Sequence, residues 1–206
     1  MYRPRGTFVA AVFAYTVLAR VLSFVLLHFG RTAETFPLSF TPIFALCLFG
    51  VSFFHGPVRS FGVPLLAWVV GDLLIGVASG TLTGDWKTGL SYAMYPGQVF
   101  TYGGFLLVAA CGLICREKRT WYTVGGAGLL GAVLFFLVSN FGSWQANLSG
   151  TYSRDFNGLM ACYVAGLPFL RGQIISTWVF SLILFSPLAL RQLEAAEEPA
   201  PVTATA

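Results

Sequence analysis

The stretch Phe135–Arg171 reads FFLVSNFGSWQANLSGTYSRDFNGLMACYVAGLPFLR. An apolar helical pattern ends at Ser139-Asn140. A segment rich in Asn, Gln, Trp, Tyr, Arg and Asp follows, and a second apolar run ends at Leu167-Pro168-Phe169-Leu170-Arg171. From Phe156 to Leu170 that run has 15 residues, fewer than the roughly 20 a helix needs to cross a bilayer. Arg154 and Arg171 flank it, so the pattern predicts a short helix that enters and leaves by one membrane face. Polar and aromatic side chains then gather beside it, where a water-soluble ligand is caught. Non-spanning backbone at that depth is tolerated only against protein or a wet cavity.

Working outward, hydrophobic residues make up 56% of the 206-residue chain and charged residues only 10%, with a mean hydropathy of +0.76. Soluble domains carry about 25% charged residues, so the chain belongs in lipid. Twenty Phe, eight Tyr and five Trp suit a membrane protein whose Trp and Tyr sit at the interfaces. A net charge of +4 without a basic run gives no nucleic-acid signature. Cys47, Cys111, Cys115 and Cys162 lie in or beside apolar runs and read as small buried residues, not as a metal or disulfide set.

The pattern predicts an all-α membrane protein of about six transmembrane helices plus the short re-entrant or interfacial helix. The segments are about Thr7–Phe29, Phe40–Phe54, Gly62–Gly80, Gln98–Cys115, Tyr122–Phe141 and Gln173–Leu190, in a single domain over 1–192. Residues 193–206, acidic and then Pro/Ala/Thr-rich, read as a disordered tail. The first apolar run is longer than a signal-peptide core and reads as a retained helix. Polar loops at Gly30–Ser39, Thr81–Gly97 and Phe141–Arg171 alternate with short basic links. One side then carries Arg3, Arg5, Arg59, Arg116, Lys118, Arg119 and Arg191; the other carries Arg31, Lys87, Arg154 and Arg171. Seven against four places both termini in the cytoplasm of a bacterial inner-membrane protein.

Gly126-Ala-Gly128-Leu-Leu-Gly131 matches a dinucleotide fingerprint in letters only. It lies in an apolar segment, outside any strand-turn-helix unit, and reads as a close-packing face. Gly71-Asp72 is similar to the pair used by intramembrane aspartyl proteases, which need a second membrane aspartate that the spans lack. No cluster of His, Asp and Glu suggests catalysis, so the chain reads as a non-enzyme without metal or cofactor. Arg20 and Asp72 fall about 18 and 15 Å from the same ends of their helices at 1.5 Å per residue. A pair is thus geometrically possible, serving structure or a ligand. Ala10-x-x-x-Ala14 lets a neighbouring helix approach closely, from within the bundle or from a partner.

Several blocks together resemble an uncharacterised bacterial membrane family. They are Phe40-x-Pro42-x-x-Ala45-x-x-Leu48-Phe49-Gly50, Pro64-Leu65 with Asp72-Leu-Leu-x-Gly76, and Phe135-Phe136-Leu137 with Asn140-Phe141-Gly142-x-Trp144. Gly158-Leu159-x-x-Cys162-Tyr163-x-x-x-x-Pro168-Phe169 completes the set. That family is similar to the S components of energy-coupling factor (ECF) vitamin transporters. The resemblance implies a six-helix substrate-binding subunit, with a coupling subunit and ATPases as partners in membrane lipid. Ala10 and Ala14 would then dock the coupling subunit. Ser176-Thr177 stands where the family pattern has Gly-Asp. A vitamin-sized substrate would meet Trp86, Tyr92 and Tyr95 through flat rings, and Asn140, Trp144, Arg154 and Asp155 through orienting polar contacts. A structural subunit of the MreD type shares the architecture and is the alternative.

Reporter fusions at Arg59, Lys87, Arg119 and Arg154 should report inside, outside, inside and outside in turn. Labelling of positions 87 and 119 from one side of the membrane contradicts this topology.

Overall fold

The computed structural model describes residues 2–30, 40–56, 58–147 and 150–192. The loop residues 31–39, positions 148 and 149 and the expected tail at 193–206 lie outside the described residues. Strand β1 (Tyr2–Pro4) leads into α1 (Gly6–His28), and α2 (Ile43–Phe53) follows. A π-helical turn at Val58–Gly62 opens α3 (Val63–Thr83), and α4 (Trp86–Ala93) folds back along it. Then come α5 (Gln98–Cys111), α6 (Ile114–Glu117), α7 (Trp121–Ala146), α8 (Phe156–Leu184) and β2 (Leu190–Gln192). Among the described residues the strands are β1 and β2, which pair antiparallel with Tyr2 opposite Gln192. Both ends of the helical domain therefore lie at one end of the bundle, called here the base. The other end is the crown.

Five stretches are long and apolar enough to cross a membrane: Gly6–Leu26, Val58–Thr83, Trp86–Glu117, Trp121–Ala146 and Phe156–Leu184. The sixth expected segment, around α2, is the exception. Eleven residues rise only about 16 Å, yet residues 43 to 52 are all buried. This short helix forms the axis of the bundle and packs on α3, α5, α7 and α8. The buried core joins Phe44, Cys47, Leu48 and Val51 of α2 to Phe105, Val108, Val124 and Phe135. The rings of Phe44, Phe105 and Phe135 lie with centroids 4.8–6.0 Å apart.

A buried helix end needs partners for its last carbonyls. Here the basic link after α5 provides them. Arg116 Nε donates to Val51 O at 2.8 Å and its Nη2 to Phe54 O at 3.1 Å, while Arg119 Nη2 donates to Ser52 O at 2.7 Å. Arg119 also lies 4.4 Å over the Phe53 ring. Positive charge at a helix C-terminus complements its dipole as well. Two of the seven base cations thus do structural work.

The expected short helix and separate last segment are corrected. Phe156–Leu184 is one helix of 29 residues with Pro168 inside it, so the run does not leave by the face it entered. Proline removes a single backbone bond and its φ is helical. Ending the helix there would expose several unpaired groups with no water to receive them. Arg171, assigned by the sequence to the crown side, consequently sits near the middle of α8. The fifth segment is longer than expected. It runs to Ala146 and ends on Asn147, whose φ of 39° is left-handed, so Trp144 stands on a helix and not in a loop.

Helix α4 is absent from the expected scheme. Its amphipathic octapeptide is capped by Asp85, which accepts from Lys87 N at 2.9 Å and Thr88 Oγ1 at 2.5 Å. These bonds hold the Asp85 carboxyl below its ordinary pKa, the Thr88 hydroxyl contributing most. Backbones of α3 and α4 touch at Gly76 and Gly89: a Cβ on Gly89 would fall 2.6 Å from Gly76 O. Gly89→Leu should therefore lower the melting temperature by several degrees and expose α4 to protease, whereas Gly103→Leu, with nothing within 4 Å of its Cβ position, should leave both unchanged. Equal melting of the two variants contradicts the packed α3–α4 hairpin.

Candidate functional site

Three hollows run from the crown toward the middle of the bundle. The upper two share Ser143 and Tyr152. One, of about 230 Å³, lies among Tyr95, Gly97, Thr101 and Asn147. The other, of about 400 Å³, lies between α7 and α8, lined by Phe136, Ser139, Asn140, Cys162, Gly166, Phe169 and Gln173. Gln173 also lines the third, of about 60 Å³, with Arg20, Thr41, Phe44, Trp68 and Ser176. The largest hollow, about 1120 Å³, is at the base and apolar but for Arg5 and Thr7. Its lining suits lipid or a partner helix and not a polar solute.

Below the mouth, Arg20 reaches from α1 to α3. Its Nη2 lies 2.6 Å from Asp72 Oδ1, its Nη1 donates to Trp68 O at 3.0 Å, and its guanidinium sits 3.3 Å over the Trp68 ring. Tyr102 OH on α5 donates to the second Asp72 oxygen at 3.1 Å. Three helices are tied by one carboxylate, and both charges are met at membrane depth. Trp68 and Asp72 are four residues apart on one helix face, so this association was present in the sequence and not read from it. Tyr102, in an apolar run, gave no such signal.

Of the seven proposed substrate contacts, Tyr95 and Asn140 line the hollows. Asn140 Nδ2 donates to Phe136 O at 2.8 Å within α7, and its Oδ1 borders Gly166, where a Cβ would fall 2.5 Å away. Trp144, Arg154 and Asp155 instead hold the α7–α8 connection together. Trp144 Nε1 donates to Ser153 O at 2.9 Å and Arg154 Nη1 to Gln145 O at 2.7 Å. Asp155 caps α8 by accepting from Gly158 N at 2.8 Å and from Ser153 Oγ at 2.6 Å. The latter bond contributes most to holding its carboxyl below the ordinary range. Trp86 and Tyr92 ride on α4 away from the hollows: the Trp86 ring covers Gly80, and Tyr92 meets Phe24 edge-on with centroids 5.1 Å apart. Tyr152, Ser143 and Gln173 are lining groups that the sequence reading passed over; Ser143 and Tyr152 sat within two residues of Trp144 and Arg154, Gln173 was near no candidate, and the helix boundaries drawn there hid their shared face.

Ala10 and Ala14 are both exposed on α1, and Ala10 borders the base hollow. Gly128 and Gly131 pack closely on Thr177 and Val108, as a helix-packing face requires. Among the described residues no group of three or more His, Cys, Asp or Glu is placed to hold a metal, and the four cysteines are free and buried. The arrangement offers hydrogen-bonding groups and rings around a void, which is equipment for binding.

A family model described as a family of unknown function (DUF6580) matches residues 2–200. The chain belongs to that family. No curated protein and no solved structure matches it.

The Arg20–Asp72 bridge generates a sign test. Arg20→Leu or Asp72→Leu alone strands one charge in the bundle and should cost about 3 kcal/mol or more. The double Leu variant should recover much of that loss in a thermal melt in detergent. A double variant as unstable as the sum of the singles contradicts a coupled pair.

Proposed function

We propose that this protein is a substrate-binding membrane subunit, of the S-component kind, serving an ECF-type importer for a vitamin or similar small molecule. The observation that carries the reading is the set of adjoining hollows between α7, α8 and the α4–α5 turn, which share Ser143, Tyr152 and Gln173 and place a few polar groups in a mostly apolar lining. Their upper volumes of about 400 and 230 Å³ fall in the range of small-molecule sites when taken together. In this reading substrate enters from the crown and meets Tyr95, Tyr152, Asn140 and Gln173. The crown faces outward and both termini are cytoplasmic in the inner membrane. With Arg171 removed from the loop count, the sequence leaves seven cations in the base-side segments against three in the opposite loops, which supports that orientation. An ATPase-driven coupling subunit would meet the base half of α1, where Ala10 and Ala14 are exposed.

A second reading, a scaffolding subunit of the MreD type, is favoured by one feature. The innermost hollow, beside Arg20, holds only about 60 Å³.

The two readings separate on ligand retention. Protein purified from its native membrane should release a small molecule on denaturation, detected by mass spectrometry. Asn140→Ala and Gln173→Ala should reduce the amount about tenfold at unchanged melting temperature, and Trp86→Ala, outside the hollows, should not. No released molecule from the wild-type protein, with all variants equally stable, favours the scaffold.

A further inference from the structure

The two arginines far from the ends of their spans, Arg20 and Arg171, are treated differently by the fold. Arg20 has a carboxylate, a carbonyl and a ring. Among the described residues Arg171, which is exposed, has no hydrogen-bond or ion-pair partner, and Arg20–Asp72 is the only salt bridge. It lies 15 residues from Phe156 and 13 from Leu184, about 22 and 20 Å along the axis. In a hydrocarbon core about 30 Å thick, a centred α8 holds Arg171 near the midplane. Arginines near helix ends reach the interface by extending along the helix, but this one is not near an end.

Its face is distinct from the hollow. Cys162, Gly166, Phe169 and Gln173 point toward α7 and the cavity. Val164, Leu167, Arg171, Ile175 and Leu182 recur at intervals of three, four and seven on the opposite side, and the four apolar ones are 45–65% exposed. Pro168, in the same turns, has no N–H to give the Val164 carbonyl. An apolar stripe with a single cation at its centre suits lipid everywhere except at that cation.

We infer that this face of α8 docks a transmembrane helix of another protein that places a carboxylate, Asp or Glu, opposite Arg171 at mid-bilayer depth. Charge complementarity selects the occupant. A lipid headgroup does not reach the midplane. A second copy of this chain brings no suitable acid among its described residues: Asp72 is buried against Arg20, Asp85 and Asp155 cap helices at the crown, and Glu117 is at the base. The surface is also separate from Ala10 and Ala14 on α1, so it stands whether or not the transport reading holds.

The test uses the full chain in phosphatidylcholine vesicles with two labelled Leu-rich transmembrane peptides, one carrying a central Glu and the other a central Gln, each dilute enough to be monomeric alone. Energy transfer reads association. The Glu peptide should associate about tenfold more tightly than the Gln peptide, the scale of one polar contact between membrane helices. That preference should vanish in Arg171→Leu and Arg171→Gln, with helicity and melting checked in the same vesicles. Equal association of the two peptides with the wild-type chain overturns the proposal and needs no variant to fold. So does a Glu preference that survives Arg171→Leu, or self-association of labelled wild-type chains that is lost in Arg171→Leu.

Discussion

In lipid no water is available to complete a backbone hydrogen bond, and this one constraint organises the bundle. It acts most strongly on α2. That helix is too short to carry its own ends to an interface, so its final carbonyls would be buried unpaired. Arg116 and Arg119 close them from the following link. Ser52 Oγ adds a bridge from Leu48 O to Gly112 O at 2.6 and 3.2 Å. The link is held to α2 by these bonds, so α5, α6 and the start of α7 are registered on the axis of the fold. A base-side cation thus has two duties: it biases topology, and it terminates a helix.

The same constraint explains what the sequence made legible and what it hid. Apolar run lengths were enough for the all-helical, membrane-like class, and position along the runs for the matching depth of Arg20 and Asp72. Turn residues were misleading. Ser139-Asn140 and Gly142 resemble a helix end, and in water Asn often leaves a helix to bond nearby backbone. Within the membrane its amide bonds Phe136 O and the helix continues for six more residues. Pro168-Phe169 followed by an arginine resembles a boundary for the same reason, and it too lies inside one continuous helix. Helix-breaking rules learned in water lose force where the broken state has nothing to bond to.

The candidate site was partly legible for a related reason. The aromatic and polar residues of the crown were visible as a group, but whether each faced a void or its own loop depended on where helices stop. Extending α7 to Ala146 turned Trp144, Arg154 and Asp155 toward closing the connection. It also brought Asn140, Ser143 and Gln173 onto facing helices. Residue type marked the polar and aromatic groups of the crown; which of them line the hollows depended on the helix boundaries.

That closure limits how a ligand is admitted. Asn147 exchanges two bonds with Tyr152, its Nδ2 donating to the Tyr152 carbonyl at 2.8 Å and its Oδ1 accepting from Tyr152 N at 3.2 Å. Trp144 and Arg154 add the cross-ties already described. Breaking these four bonds together would leave their donors and acceptors unpaired. Tyr152, which borders both upper hollows, is tied through its backbone to Asn147 and stands between them. In the proposed binding reading, a ligand spanning the two would pass beside its ring, over the Ser143 wall they share. Size discrimination would then come from the gap between Tyr152 and Ser143, before hydrogen-bond discrimination by Asn140 and Gln173.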